Sequence, residues 1–172
     1  MTISKVKISQ LDEIFQIFID CRAALEKKGI FQWTDKYPTL KIIKNDIQEG
    51  NLYCLSENSK TYGVININEF QDPEYNSVHW KDNVDKILVI HRLAVKPEFQ
   101  NRGFAKKLMD FAEDYAEENN YTSIRLDAYS ANPEVLRFYE NRDYQRRGEV
   151  FFPGRELPFY CYEKFLTEKR SG

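Results

Sequence analysis

Residues 3–8, ISKVKI, alternate apolar and polar positions in the manner of a half-buried strand. In LDEIFQIFIDCRAAL, Leu11, Ile14, Phe15, Phe18 and Cys21 fall on one helical stripe, with Ser9 as the expected N-cap and Gly29 as the stop. FQWTDKYP then reads as a loop, and TLKIIKNDIQEG as a short helix ending at Gly50. LYCLSEN and TYGVININ are two strands joined by a polar turn around Asn58–Lys60, and residues 69–85 read as an irregular loop. KILVIHRLAV is an almost continuous apolar run, which suits a central strand covered on both faces and closed by Pro97.

After Gly103, Ala105, Leu108, Met109, Ala112, Tyr115 and Ala116 recur at helical spacing as far as Asn119–Asn120. TSIRLDAY is a further strand. ANPEVLRFYENR opens a helix with Asn132 at the cap and Pro133 in its first turn. YQRRGEVFF and LPFYCYEKF form a closing strand pair, joined by a turn through Pro153–Gly154. The order β-α-α-β-β-β-α-β-α-β-β predicts one mixed α/β domain over 1–172, with a short polar tail at 166–172. A boundary inside 68–85 would leave the first 67 residues with a poor core of their own.

Composition narrows the partners. The charged residues, 30% of the chain, are interspersed and the net charge is −2, so the basic excess of a polyanion binder is missing and nucleic acid is not an expected partner. The three cysteines, Cys21, Cys54 and Cys161, are odd in number and far apart, with neither zinc spacing nor a disulfide framework. They read as buried reduced thiols, and no metal is expected. The N-terminus has no apolar leader and no run approaches the roughly 20 apolar residues of a span. A cytoplasmic protein without a membrane partner is therefore expected.

One charge pattern runs against the rest. The helix after Gly103 carries Arg102, Lys106 and Lys107 at its start and Glu113, Asp114, Glu117 and Glu118 toward its end. The helix dipole favours the reverse by roughly 0.3–1 kcal/mol per well-placed charge. Residues 92–107 hold five basic side chains and one acid, a local +4. An anion docked at the helix start would turn this repulsion into attraction, because unpaired N–H groups gather there and Gly103 admits close approach of the backbone. Neither G-x-x-x-x-G-K-[ST] nor G-x-G-x-x-G is present. An ordinary surface helix is the alternative.

QNRGFA, Gln100 to Ala105, following HRLAVKP, resembles the [Q/R]-x-x-G-x-[G/A] signature of the GNAT superfamily of acetyl-CoA-dependent N-acetyltransferases. LDAYSANPEVLRFYENRDY is similar to a second segment of the same superfamily. The resemblance extends from residue 3 to about 165. It implies a central mixed, mostly antiparallel sheet flanked by helices. It further implies acetyl-CoA as co-substrate, with its diphosphate held by Gln100, Asn101, Arg102, Gly103, Phe104 and Ala105, and its pantetheine arm paired along Leu93, Ala94 and Val95. Asn132 lies near the coenzyme in that pattern, and Leu93 N–H is the implied oxyanion donor.

Tyr139 in RFYENR matches the family tyrosine that protonates the coenzyme sulfur. A phenol suits that task, since its pKa near 10 keeps it protonated at neutral pH. Val135 and Leu136 one turn earlier allow a plain core aromatic instead. The glutamate of histone-type members falls, counting back from Gln100, on Val89, which cannot take a proton. His91, on the same strand face, is a candidate base or substrate contact, with Glu69 or a water chain as alternatives. Gln32, Trp33 and Tyr37 in the loop between the first two helices offer an acceptor wall, unless Trp33 simply packs that loop to the core; Trp80 is a weaker candidate. The implied reaction acetylates a primary amine of a small molecule or peptide in a ternary complex. A non-catalytic acyl-CoA sensor is the alternative. A homodimer through the C-terminal edge strands is a further expectation.

Overall fold

A computed structural model describes residues 1–81 and 86–166. The expected irregular loop at its 82–85 end, and the polar tail from 167 on, lie outside the described residues. The elements are β1 (Thr2–Lys5), α1 (Leu11–Glu26), α2 (Leu40–Gln48), β2 (Leu52–Glu57), β3 (Lys60–Asn68), β4 (Ile87–Val95), α3 (Phe104–Glu118), β5 (Ser123–Tyr129), α4 (Pro133–Glu140), β6 (Gln145–Val150) and β7 (Phe159–Phe165). The strands hydrogen-bond in the order β1-β2-β3-β4-β5-β7-β6, a mixed and mostly antiparallel sheet. β4 and β5 run parallel, in register from Ile87↔Ser123 to Ile90↔Leu126.

The chain divides into two compact units, Met1–Ile67 with His91–Ala112, and Asn68–Ile90 with Glu113–Gly172. In the first unit, α1 and α2 bury Ile14, Ile17, Phe18, Cys21, Ile43 and Ile47 against Leu52, Cys54, Val64 and Ala94 of the strands. Thr39 caps α2, its hydroxyl accepting from Ile42 N–H at 3.3 Å, a bond of about 1 kcal/mol. α3 packs so closely at Gly63 that an added Cβ would lie 2.6 Å from the Ala94 carbonyl and 3.2 Å from Leu108 Cδ1. No side chain fits there, so Gly63 lets helix and strand meet.

The start of this unit differs from expectation. β1 stops at Lys5, and Ile8–Gln10 make a 3-10 turn in which Gln10 Oε1 accepts from Lys7 N–H at 2.9 Å. Ser9 lies inside that turn and is not the cap of α1, which begins at Leu11 behind Gln10.

In the second unit the two faces of β5 and β7 are separately covered. Antiparallel partners share a face, so Leu126↔Tyr162 and Ile124↔Lys164 point one way, and Arg125↔Glu163 and Asp127↔Cys161 the other. α4 covers the first face, where Tyr162 donates its O–H to Glu140 Oε1 at 2.9 Å. The second face is covered by residues 71–81, within the expected irregular loop. They contain a 3-10 turn (Pro73–Ser77) with Tyr75 buried beneath it, and Trp80 donates its N–H to the Tyr75 carbonyl at 2.9 Å. Glu163, fully buried, accepts from Lys81 N–H at 3.0 Å and Arg147 Nε at 2.9 Å and faces Arg125 Nε at 3.5 Å. Arg125 also stands 4.2 Å above the Trp80 ring.

Candidate active site

The run from β4 into α3 is built around two positive φ angles. Pro97–Phe99 form a 3-10 turn that buries Phe99; Asn101 then adopts φ 61° and Gly103 φ 79°. The left-handed value suits glycine because it has no Cβ to clash. Nothing lies within 4 Å of where a Cβ on Gly103 would stand, so the space above this backbone is open. Lys107 N–H donates to Gly103 O at 3.1 Å, the first bond of the helix. The amides of Phe104, Ala105 and Lys106 precede that bond, as helix geometry requires. Phe104 is anchored through Tyr62, whose ring is 4.9 Å from both Phe99 and Phe104. Arg102 lies 5.5 Å and Lys60 4.4 Å from the Phe99 ring centroid. Open amides, missing side chain and gathered cations suit a diphosphate.

Behind the loop, Gln100 Nε2 donates to the Val95 carbonyl at 3.0 Å, and Cys21 Sγ donates to the same oxygen at 3.2 Å. Burial pushes the Cys21 thiol up to about 12, so it stays protonated as that donor. Lys96 N–H donates to Tyr62 O at 2.9 Å. Gln100 therefore braces the end of β4 with its side chain. β4 runs on to Val95 beyond its ladder with β5, which stops at Ile90. His91 and Leu93, half-buried, share one face of this extension, while Arg92 and Ala94 are buried on the other.

Arg92 organises the acceptor loop. Its Nη2 donates to Asp46 Oδ1 at 2.6 Å and its Nε to Oδ2 at 3.0 Å, while Nη1 donates to the Tyr37 hydroxyl at 2.6 Å. Burial by itself pushes the Asp46 carboxyl up and the Arg92 guanidinium down. Tyr37 and Asp46 more than reverse the effect on Arg92. An arginine holds its charge throughout the working range, and a forked pair at these distances keeps the carboxylate ionised. Tyr37 is thus fixed at the surface, 38% exposed, with its ring over Arg92. Trp33 is only 7% exposed and packs edge-on to Phe18 at 5.4 Å, among the core residues of this unit. Gln32 is half-buried beside it in sequence.

In the second unit, Asn132 accepts from Val135 N–H at 3.3 Å and caps α4. Tyr139 is buried, with ring centroids of Tyr144 at 5.9 Å and Tyr162 at 6.4 Å. Burial, then the charge of Asp127, pushes its phenol well above the ordinary value, so it is protonated at neutral pH. Val89 is fully buried. Glu69 accepts from Tyr121 O–H at 2.8 Å and approaches Lys86, 3.9 Å away. Trp80 packs on Arg125 and Tyr75. Three polar side chains that no motif marks, Asp46, Arg92 and Asp127, sit on these elements. Their one signal in sequence is a charge inside an apolar strand or helix stripe. Among the described residues no group of three or more acidic, histidine or cysteine side chains is arranged to hold a metal, and no helix is long and apolar enough to cross a membrane.

A family model described as the acetyltransferase (GNAT) family matches residues 11–144. A curated relative, the uncharacterized N-acetyltransferase YesJ of Bacillus subtilis, is 24% identical over 146 residues, covering 83% of this chain and 78% of that one. A GNAT-family acetyltransferase from Streptococcus agalactiae superposes with a TM-score of 0.82 at 21% identity, covering 96% of this chain and 95% of its own. The PaiA N-acetyltransferase of Thermoplasma acidophilum, solved in complex with coenzyme A, gives a TM-score of 0.68 at 16% identity, covering 96% and 98%.

Proposed function

The chain belongs to the GNAT family of acetyltransferases, and we propose that it transfers the acetyl group of acetyl-CoA to a primary amine of a small molecule or peptide by direct attack. The observation that carries this reading is the start of α3, where open amides and free space over Gly103 meet Arg102 and Lys106. The coenzyme A bound to the Thermoplasma relative supports the choice of cofactor. Acetyl-CoA supplies an activated thioester to this fold.

The chain's own residues do the rest. Gln100 to Ala105 hold the diphosphate, with Gln100 also bracing Val95. The Val95 carbonyl already accepts two bonds, so Val95 offers the pantetheine arm its N–H, beside the backbone of Leu93 and Ala94. Leu93 N–H is the donor to the carbonyl oxygen as it gains charge. Tyr139 gives its phenolic proton to the departing sulfur, a role its raised pKa permits at neutral pH. Asn132 caps α4 and so sets where Tyr139 stands. Tyr37, Gln32 and His91 line the acceptor side, with Trp33 supporting the loop from within.

A thiol-release assay with acetyl-CoA and a varied amine panel tests this. Turnover with at least one amine is expected, and Tyr139→Phe should lower kcat by about 10²–10⁴-fold. Near-normal turnover in a folded Tyr139→Phe protein would remove the tyrosine from its role. Coenzyme-dependent thermal stabilisation with no turnover on any amine would favour the sensor reading.

A further inference from the structure

The loop joining α1 to α2 lies wholly in the first unit and is fastened at several points. Trp33 sits in the core and Pro38 is buried. Thr34 and Tyr37 exchange backbone hydrogen bonds, at 3.0 and 3.3 Å, across a turn made by Asp35 and Lys36. Lys36 N–H donates to Thr34 Oγ1 at 3.2 Å within that turn. The Tyr37 hydroxyl accepts from Arg92 on β4, the residue before Leu93. The loop is thereby held beside the strand end assigned to the pantetheine arm.

What this fixed loop turns outward is of two kinds. Among the described residues nine large apolar side chains are exposed, and three of them, Phe31, Tyr37 and Leu40, fall within ten residues. Single exposed apolar residues are ordinary, whereas a cluster marks a surface that meets something. Residues 27–44 also hold five lysines against one acid, Asp35, a local +4 in a chain of −2. All five lysines are exposed. On α2 the buried side is Ile43, Asp46 and Ile47, and the first turn carries no acid. Leu40, Lys41 and Lys44 leave on the other side, Lys44 one turn along from both. Asp46, the nearest acid on that helix, is committed to Arg92. A polyamine or a basic peptide would be repelled by this surface. One small carboxylate would meet the turn or the helix face but not both. An extended chain with several carboxylates and an apolar side chain suits the whole of it.

We propose that the acceptor is the amine of an acidic peptide. Lys36, Lys41 and Lys44 draw in its carboxylates, and Phe31, Tyr37 and Leu40 receive an apolar side chain. The fate of the amine rests on the acetyl-transfer reading above; the docking of the peptide does not. Charges exposed in this way act mainly on encounter and on the exclusion of wrong partners, so the surface selects the acceptor and leaves the chemical step to other residues.

The test uses peptides of one length that share an N-terminal residue and a phenylalanine and differ only in carrying Glu, Gln or Lys elsewhere. A dye at the C-terminus lets fluorescence anisotropy with the full chain read docking without turnover. The Glu peptide should bind about 10-fold tighter than the Gln peptide, with the Lys peptide weakest, since several exposed ion pairs of small individual effect act together. The preference should shrink as salt rises from about 20 to about 300 mM and the screening length shortens. The double variant Lys36→Glu/Lys41→Glu should lose or reverse it, with coenzyme A affinity unmoved in calorimetry. Replacing the peptide's phenylalanine by alanine should weaken binding severalfold. In the thiol-release assay the same order should appear in KM, with kcat little changed. Equal affinity for all three peptides, a preference indifferent to salt, or one that the double variant keeps would overturn the proposal. So would competition by free glutamate, or by an oligonucleotide of the same charge, as effective as that of the Glu peptide. If the Glu peptide is preferred in binding while no amine is acetylated, the acetyl-transfer reading falls and the docking surface stands. If small amines are acetylated while the peptides bind alike, the surface falls alone.

Discussion

Arg92 on β4 and Arg102 before α3 are ten residues apart, and the protein treats them oppositely. Arg92 is 7% exposed, forked onto Asp46 and bonded to Tyr37. Arg102 is exposed and lies over the Phe99 ring beside a helix start whose first turn holds Lys106 and Lys107 but no acid. The hydrogen-bonding capacity of the first is spent on protein groups and that of the second is turned outward. A cation satisfied by its own chain is architecture; a cation left at a helix N-terminus against the dipole is a place for an anion. The two would be indistinguishable in any count of charge.

The contrast can be broken in order of size. Arg92→Met would strand a buried carboxylate, and unfolding in urea should show a loss of about 3–5 kcal/mol. Adding Asp46→Leu should restore most of it, since the pair as a whole contributes far less than its breakage costs. A loss under ~1 kcal/mol in the single variant would mean the pair is not structural. Arg102→Ala should leave stability within about 0.5 kcal/mol but weaken coenzyme A binding by roughly 10–100-fold, the worth of one charge-assisted bond. An equal effect on both quantities would erase the distinction. Gly103→Ala forces a side chain into the left-handed region, costing about 1–2 kcal/mol through backbone strain alone, with no clash to add to it. Smallest is Lys106→Glu. Without ligand it should stabilise the fold by roughly 0.3–1 kcal/mol, because an acid suits the helix start, and it should weaken coenzyme A binding. A gain in both would show that the reversed polarity serves no anion.

Much of this was legible in the chain. The apolar run of β4, the stripe of α3 and the Asn132–Pro133 start of α4 are local signals, and each element formed where periodicity and capping placed it. Ser9 was misleading because its neighbour Gln10 turns back onto Lys7, a contact that competes with capping and leaves no trace in the hydrophobic pattern. The packing of the 71–81 loop was hidden for a related reason. Tyr75, Val78 and Trp80 are buried at a spacing that matches neither helix nor strand. Trp33 reads equally as a binding wall or as core until Phe18 is seen beside it. Arg92 and Asp46 lie 46 residues apart, so no window along the sequence joins them. Asp127 is the subtler case: in RLDAY it shares a strand face with Arg125, and only the fold shows that Arg125 stands over Trp80 while Asp127 meets a phenol.

Isothermal titration of coenzyme A into the full-length, folded chain bears most directly on the helix-start site. Saturable binding in the micromolar range, weakened by added salt and by Arg102→Ala, is the predicted result. An absence of heat and of saturation at millimolar coenzyme A, with circular dichroism confirming a folded protein, would contradict it.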